Sequence, residues 1–460
     1  MTARARPLIV GAGPAGIRAA QTLVAAGLAP IVVDEGAACG GQIYRQPPVA
    51  DGRDGRALYG SEAAKAERLH RGFADLAGRV DYLPNALVWN LRDGTADVLV
   101  QGASRRIVHD GAILATGATD RVLPVPGWTL PGVFTLGGAQ IALKAQGCAI
   151  GSRVVFVGTG PLLYLVAWQY MKAGVEIAAV LDAAPAAARF ALLKGLASFP
   201  AIILRGIRFV ADLRLRRVPL YHGVTRLRFE GASRLFSISF EAAGRSRSVD
   251  CDGAGYGLGL RSETQLADLS GCRFEFSPRD RAWLPVRDAA GRATVQGIYL
   301  AGDGAGSAGA DAAERAGERA ALALCEDHGL PVDASRAAQL EAELARIGHF
   351  RSLLERAFPF PAHWVRDLQK ETHVCRCEEV RVSTVQAVIG QFGITELNRL
   401  KAVSRVGMGR CQGRVCGTAA AELLAADAGL PIDRVGRLRA QPPVKPLPLG
   451  LGDEHAEAAE

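Results

Sequence analysis

Nowhere in this 460-residue chain do two cysteines stand three positions apart. A dithiol that exchanges with a substrate disulfide needs two close sulfurs, so the lack of a C-x-x-C pair argues against disulfide-reductase chemistry. No uninterrupted apolar run reaches the roughly 18 residues of a membrane span, so no transmembrane segment is expected. The start of the chain lacks the pattern of an export signal, because its first apolar run is a short strand leading into a glycine turn. A cytoplasmic location is therefore expected. The formal net charge of +8 is modest for the length, and no basic stripe is interleaved with aromatics, which excludes nucleic acid as an expected partner. No general base stands in a recognisable pocket, so the sequence names neither a catalytic residue nor a substrate.

What is present starts at Gly11-Ala12-Gly13-Pro14-Ala15-Gly16, between the apolar run Leu8-Ile9-Val10 and a helix-like run from Ile17 to Ala26. Gly11 permits a tight turn, Gly13 lets the backbone approach a pyrophosphate, and Gly16 allows close helix–strand packing. The helix start offers free N–H groups and a positive dipole end to phosphates. The next apolar run ends in Asp34-Glu35, where an acid can accept from adenosine ribose hydroxyls. A glycine loop follows, Cys39-Gly40-Gly41-Gln42-Ile43-Tyr44-Arg45, whose Gly41, Gln42 and Arg45 can lie against a bound nucleotide.

Residues from about 50 to 78 carry helical spacing, and 81 to 109 read as strands. The buried strand Gly111 to Leu114 ends in the small-residue turn Ala115-Thr116-Gly117, which can cross near a cofactor without collision. Prolines within Arg121 to Gly127 mark an interdomain connection. A second nucleotide-binding turn follows at Gly158-Thr159-Gly160-Pro161-Leu162-Leu163. Leu163 stands where the third glycine would be, which weakens the binding signal but not the fold signal. The densest basic stretch, Arg205 to Arg228, reads as a solvated strand face in preference to a docking surface. Asp252 to Gly259 reads as a glycine-rich stretch closing this domain. At Gly302-Asp303 an apolar strand ends before a small-residue helix, and this aspartate is the expected contact for the flavin end of a dinucleotide.

Nine cysteines without an export signal read as thiols or metal ligands. Cys39, Cys148, Cys251, Cys272 and Cys325 are scattered and read as buried small hydrophobes. Cys375, Cys377, Cys411 and Cys416 form two tight pairs, which suit either zinc or a [2Fe–2S] cluster. The C-x-C pair is tighter than the usual zinc-ribbon spacing. Glycines flank Cys411, and loop N–H groups can bond to cluster sulfurs. His373 reads as a bystander to a completed ligand set.

The order of the first glycine turn, Ala115-Thr116-Gly117, the second Gly158-x-Gly160 turn and Gly302-Asp303 resembles that of two-dinucleotide-domain flavoproteins. The cysteine spacing resembles the bacterioferritin-associated ferredoxin type of [2Fe–2S] domain. Joined in one chain, these features resemble the α subunits of heteromeric flavin-dependent amino-acid and opine dehydrogenases. This family includes the B subunit of hydrogen cyanide synthase, the A subunit of opine oxidase and the D-hydroxyproline dehydrogenase α subunit.

The resemblance implies an α/β fold with two Rossmann-like domains, the first discontinuous, and a small helical [2Fe–2S] domain. The expected division is 1–120 with 285–330 for the FAD domain and 121–284 for the second dinucleotide-binding-like domain. A helical linker at 331–370, the cluster domain at 371–440 and a tail at 441–460 complete it. The implied cofactors are FAD or another adenine nucleotide and the cluster, with an FMN held at a subunit interface in related complexes. The implied partners are a D-amino-acid-oxidase-like flavoprotein β subunit and a small ferredoxin-like γ subunit. Two other readings stand beside this one. One is a self-contained NADH-dependent ferredoxin-type reductase, against which Leu163 weighs. The other is a non-catalytic nucleotide-binding scaffold, against which the intact cysteine quartet weighs.

Overall fold

The computed structural model describes residues 6–47, 59–196, 198–449 and 452–453. The part of the expected 50–78 helix before residue 59 lies outside the described residues, as do 450, 451 and 454–460 of the tail. Two compact units divide the chain. The first gathers residues 1–118, 261–348 and 439–460, and the second gathers 119–260 and 349–438.

In the first unit, the short buried strand Leu8–Val10 sits at the centre of a five-stranded parallel sheet. The strand order is Ile298–Leu300, Ala112–Leu114, Leu8–Val10, Ile31–Val33 and Asp81–Leu83. Every residue of the four strands other than Asp81–Leu83 is buried, as the all-apolar runs of a sheet covered on both faces require. The helix Pro14–Ala25 crosses the helix Ala310–Asp327 at very short range. A Cβ on Gly317 would stand 2.0 Å from the Ala15 carbonyl oxygen, so the crossing needs glycine there. Antiparallel strands at Ala86–Arg92, Thr95–Val100 and Ala103–Val108 form a side sheet, to which Gly452–Asp453 adds a parallel strand.

The second unit repeats the plan. Its parallel sheet runs Leu220–His222, Glu176–Asp182, Arg153–Gly158, Gly253–Gly257 and Val133–Thr135. A three-stranded antiparallel sheet, Thr225–Gly231, Leu235–Ala242 and Arg245–Asp250, packs beside it. The cysteine-bearing module shares this unit's core, where Val155, Ile238 and Tyr256 belong to the same buried cluster as Val374, Leu400 and Leu424. Trp128 Nε1 donates to the His373 carbonyl at 2.8 Å and ties the module's first strand down.

Several sequence expectations need correction. Residues 261–284, assigned above to the second domain, pack within the first unit. The glycine stretch from Asp252 ends where the first segment of the second unit ends, at Leu260, and it forms an inner strand of that unit's parallel sheet, Gly253–Gly257. It tolerates Gly255 and Gly257 because Phe156 and Leu136 side chains fill the space a Cβ would take. The first part of the basic stretch is helical and the last part is strand. Arg205, Arg208 and Arg214 lie on the helix Pro200–Leu215, with Arg216 and Arg217 at its end, and the strand Thr225–Gly231 carries Arg226 and Arg228. Of the five scattered cysteines, Cys148 is exposed while the other four are buried.

Candidate functional site

Five separate stretches meet at the start of the helix Pro14–Ala25. Gly11 sits at φ +106°, and a Cβ there would stand 2.3 Å from the Ala115 carbonyl oxygen. Gly41, at φ +62°, approaches Gly13 so closely that its Cβ would lie 2.9 Å from the Gly13 Cα. Gly302 faces Ala15, with a Cβ distance of 2.9 Å, and Thr116 Oγ1 would be 2.5 Å from a Cβ on Gly304. Gly13 caps the helix without a side-chain hydrogen bond, and Pro14 at its first turn has no N–H to satisfy. The turn is therefore built from backbone and small residues, and the remaining first-turn N–H groups are left for a ligand.

The acid at the next strand end is engaged by this turn. Asp34 Oδ2 accepts from Ala12 N at 2.5 Å and Oδ1 accepts from Gly36 N at 2.6 Å. Burial pushes its carboxyl above the usual range, against the pull of those two N–H groups. Each oxygen has a second lone pair with which to accept from a hydroxyl. Arg45 lies close enough to act on Asp34 electrostatically, and its Nε is buried with no hydrogen-bond partner. An orphaned guanidinium N–H beside a glycine turn fits a phosphate-bearing ligand. Gln42 is exposed. Glu35 is ion-paired with Lys445, a tail residue 410 positions away that no sequence signal connects to it. Asp303 Oδ1 accepts from Ala308 N at 2.8 Å and Gly309 N at 3.2 Å, so this aspartate also shapes the loop that precedes its helix.

The second glycine turn is closed. Asp182, the counterpart of Asp34, is fully buried and takes hydrogen bonds from Tyr164 OH at 2.7 Å, Ala184 N at 2.8 Å and Arg189 Nη2 at 2.5 Å. Burial raises its pKa, with the Arg189 guanidinium opposing. Arg189 also donates to the Tyr164 hydroxyl and lies over the rings of Tyr164 and Phe358. Leu163 is fully buried within the apolar core behind the turn. Side chains of the protein thus occupy the acid that a nucleotide ribose would need. Neither Tyr164 nor Arg189 was marked by the sequence.

All four grouped cysteines converge. Cys375 ends the strand His373–Cys375, Cys377 lies in the following turn, and Cys416 caps the helix Gly417–Asp427. Cys416 hydrogen-bonds to both Cys375 and Cys411, and Cys411 to Cys377. The bonds from Cys416 hold Cys375 and Cys411 below the usual thiol range, while Cys416 itself is pushed up. Backbone N–H groups of Gly407, Glu378 and Cys377 point at the Cys375 sulfur, and those of Val415 and Gly413 at Cys411. Among the described residues, no three His, Cys, Asp or Glu side chains are already set around a single metal ion. The fit to a cluster rests instead on the donor chemistry: four gathered sulfurs with N–H groups aimed at them. Gly409 is needed for close approach, since a Cβ there would lie 2.4 Å from the Cys377 Cβ.

Two parallel-sheet nucleotide folds, one with an open glycine turn, and a four-sulfur module define a flavin and iron–sulfur oxidoreductase chain. The pyridine nucleotide-disulphide oxidoreductase family matches residues 6–320, and the BFD-like [2Fe-2S] binding domain matches residues 373–426. The first implies FAD and the second a [2Fe–2S] cluster. More narrowly, the chain belongs to the family of the opine oxidase A subunit and the hydrogen cyanide synthase subunit HcnB. It is 38% identical over 458 residues to the A subunit of opine oxidase from Agrobacterium tumefaciens (strain Ach5), covering 96% of this chain and 90% of that one. It is 33% identical over 457 residues to hydrogen cyanide synthase subunit HcnB of Pseudomonas aeruginosa, covering 96% and 97%. The solved L-proline dehydrogenase of P. horikoshii shares the fold, with a TM-score of 0.72 at 19% identity over 97% of this chain and 79% of that one. Among the described residues no helix is long and apolar enough to cross a membrane.

Proposed function

We propose that this chain is the electron-transfer α subunit of a heteromeric dehydrogenase acting on an amine, opine or D-amino acid of the hydroxyproline type. In this reading the CH–NH or CH–NH2 donor is oxidised on a partner flavoprotein resembling D-amino-acid oxidase, with a small ferredoxin-like chain as a further partner. A cytoplasmic location is part of the proposal. The observation that carries it is the contrast between the two turns: one is open, with an orphaned Arg45 N–H, and the other has its acid sealed by Tyr164 and Arg189. A sealed second turn removes the expected entry point for NADH, so reducing equivalents must come from elsewhere. That observation tells against a self-contained NADH-dependent reductase.

When bound, FAD and the [2Fe–2S] cluster supply exchange between two-electron and one-electron chemistry. The residues we assign to FAD are Gly11, Gly13, Pro14, Ala15, Gly16, Asp34, Glu35, Gly41, Gln42, Arg45, Ala115, Thr116, Gly117, Gly302 and Asp303. In this assignment the helix start and Arg45 hold the pyrophosphate, and Asp34 receives the ribose. Cys375, Cys377, Cys411 and Cys416 hold the cluster, with loop N–H groups neutralising part of the thiolate charge. The helix Pro200–Leu215 supports a docked partner. It exposes Ile202, Leu204 and Ile207 beside Arg208 and Arg214, a surface that fits an apolar patch with an acidic rim on the partner flavoprotein.

The experiment is expression with and without the candidate partner, assaying dye reduction with D-hydroxyproline, opines and glycine. Activity is expected from the complex and absent from the chain alone; full activity from the isolated chain overturns the assignment. The double variant Leu204→Asp with Ile207→Asp is expected to lose co-purification of the partner while keeping iron and flavin.

A further inference from the structure

The segment that follows the cysteine module belongs to the first unit, and it is fastened there at two places. Near its start, Ala440 N donates to Asp268 Oδ2 at 2.6 Å, and Arg439 Nε lies 3.4 Å from Oδ1 of the same buried carboxylate. Further on, Val444 is the one buried residue between Arg439 and Leu449. It joins the apolar cluster that contains Val10, Val33 and Ala86, and its N–H donates to the Trp89 carbonyl oxygen at 3.1 Å. Pro443 and Pro446 bracket Val444 and Lys445. With φ fixed and no N–H to give, these prolines keep the segment out of a helix and reduce the freedom it loses on docking. The segment is a strap.

What the strap delivers is Lys445. Its ammonium is ion-paired with Glu35 Oε2 and, among the described residues, with no other carboxylate. Glu35 directly follows Asp34, and the two acids feel each other: burial raises the Asp34 pKa, and the Glu35 charge adds to that rise. Asp34 already accepts from Ala12 N and Gly36 N, one on each oxygen. A ribose brings two neighbouring hydroxyls, each able to donate one hydrogen bond. Glu35 alone is a long, more than half-exposed side chain beside a like charge, which favours turning it out into water. The Lys445 ammonium offsets that repulsion and fixes one carboxylate oxygen, leaving Oε1 to accept.

We propose that Lys445 is a positioning residue for the dinucleotide, holding Glu35 so that it accepts from one ribose hydroxyl while Asp34 accepts from the other. The inference rests on the placement of FAD at the first glycine turn. Lys445 acts through Glu35 and not on the ligand. Because it comes from a segment 410 positions away, the adenosine end of the cradle is complete only when the strap has docked.

The test is calorimetric titration of the full chain, freed of its flavin, with ADP, 2′-deoxy-ADP and 3′-deoxy-ADP. Removing either hydroxyl should cost the wild type at least about fivefold in affinity, because a hydrogen bond to a charged acceptor goes with it. Lys445→Ala should cut one of these two preferences to less than about twofold, that of the hydroxyl held by Glu35, and leave the other in place. Lys445→Arg should restore most of the loss, since it keeps the cation. Glu35→Gln should reproduce the same selective loss, with Lys445→Ala adding nothing further on that background. Iron content and melting temperature check the fold of each variant. Should Lys445→Ala fail to fold, Lys445→Gln, which keeps most of the side-chain stem, decides in its place. A lysine that only steadied the fold would weaken all three nucleotides alike; unchanged preferences in the variant therefore overturn the proposal alone, as does an additive loss in the double variant. A wild-type chain that binds no ADP overturns the placement of FAD, and this proposal with it.

Discussion

The two glycine turns begin from the same design and end in opposite states. Each follows a buried parallel strand, each opens a helix with proline in its first turn, and each faces an acid at the end of the next strand. At the first turn the acid is bonded to backbone N–H groups that any sequence could supply, and the space in front is bounded by glycine and alanine. At the second, two side chains reach the acid and fix it in a dry environment. The difference teaches that a fold for nucleotides is kept by backbone pattern, while the site itself depends on what is packed against the strand-end acid. A parallel sheet requires only apolar strands and close turns, so losing the ligand costs the architecture nothing.

The comparison is broken most severely at Gly13. Its φ of −80° is ordinary, and a Cβ would find Gly41 Cα at 3.7 Å, so the fold tolerates a side chain there. The ligand does not, because the pyrophosphate must come within contact of that backbone. Gly13→Leu should lower bound FAD by more than about tenfold, as the side chain takes the ligand's volume. The absorbance ratio of flavin to protein measures it, and full occupancy would show that the cofactor lies elsewhere. Iron content should be unchanged, since the cysteine module belongs to the other unit.

At the second turn the largest effect falls on stability. Arg189→Ala leaves Asp182 buried beside Tyr164 without its cation, and breaking such a pair costs about 3–5 kcal/mol. Denaturant unfolding of that variant should show the loss, while Arg189→Lys should recover part of it. Leu163→Gly separates the two explanations for a silent second turn. It restores the three-glycine pattern but leaves the Tyr164–Asp182–Arg189 contacts intact. NADH should still fail to bleach the flavin anaerobically in that variant; bleaching would make Leu163, and not the sealed acid, the cause.

That contrast also marks what could be read from the residues alone. Both parallel sheets, the first glycine turn, the small-residue helix after Gly302-Asp303 and the cysteine quartet were legible, because each is written in local spacing that the backbone obeys. The seal on Asp182 was not, since Tyr164 looks like an ordinary helix residue and Arg189 an ordinary surface arginine until a turn of 3-10 helix brings them to one carboxylate. Lys445 with Glu35 and the return of residues 261–284 to the first unit are long-range contacts with no periodicity to announce them. The helical placement of Arg205–Arg214 was hidden by composition, because arginines interspersed with Ile207, Phe209 and Val210 suit either element.

The subtlest difference between the turns is one of pH. His222 stands against the sealed turn, where Arg189 Nη2 approaches its Nδ1 at 3.1 Å. Desolvation, with Arg189 and Arg214 adding to it, lowers the ring's pKa from 6.5 to about 4. Between those two values the unfolded chain binds a proton at this histidine and the folded chain does not. Stability from this group is therefore fully present above pH 6.5 and drains away as the pH falls toward 4. The ring is half-buried, so solvent screening keeps the effect small. Asp182 works in the opposite sense. Its raised pKa means that the folded state takes up a proton earlier on acidification, which favours the fold as the pH falls. The two contributions oppose each other, and substituting the histidine isolates its share. The expected outcome is a shallower fall in melting temperature for His222→Asn than for the wild type between about pH 6.5 and 4, with equal slopes above about pH 7. Identical slopes throughout would mean that the imidazole is not held neutral by Arg189, and that the seal owes its pH response to Asp182 alone.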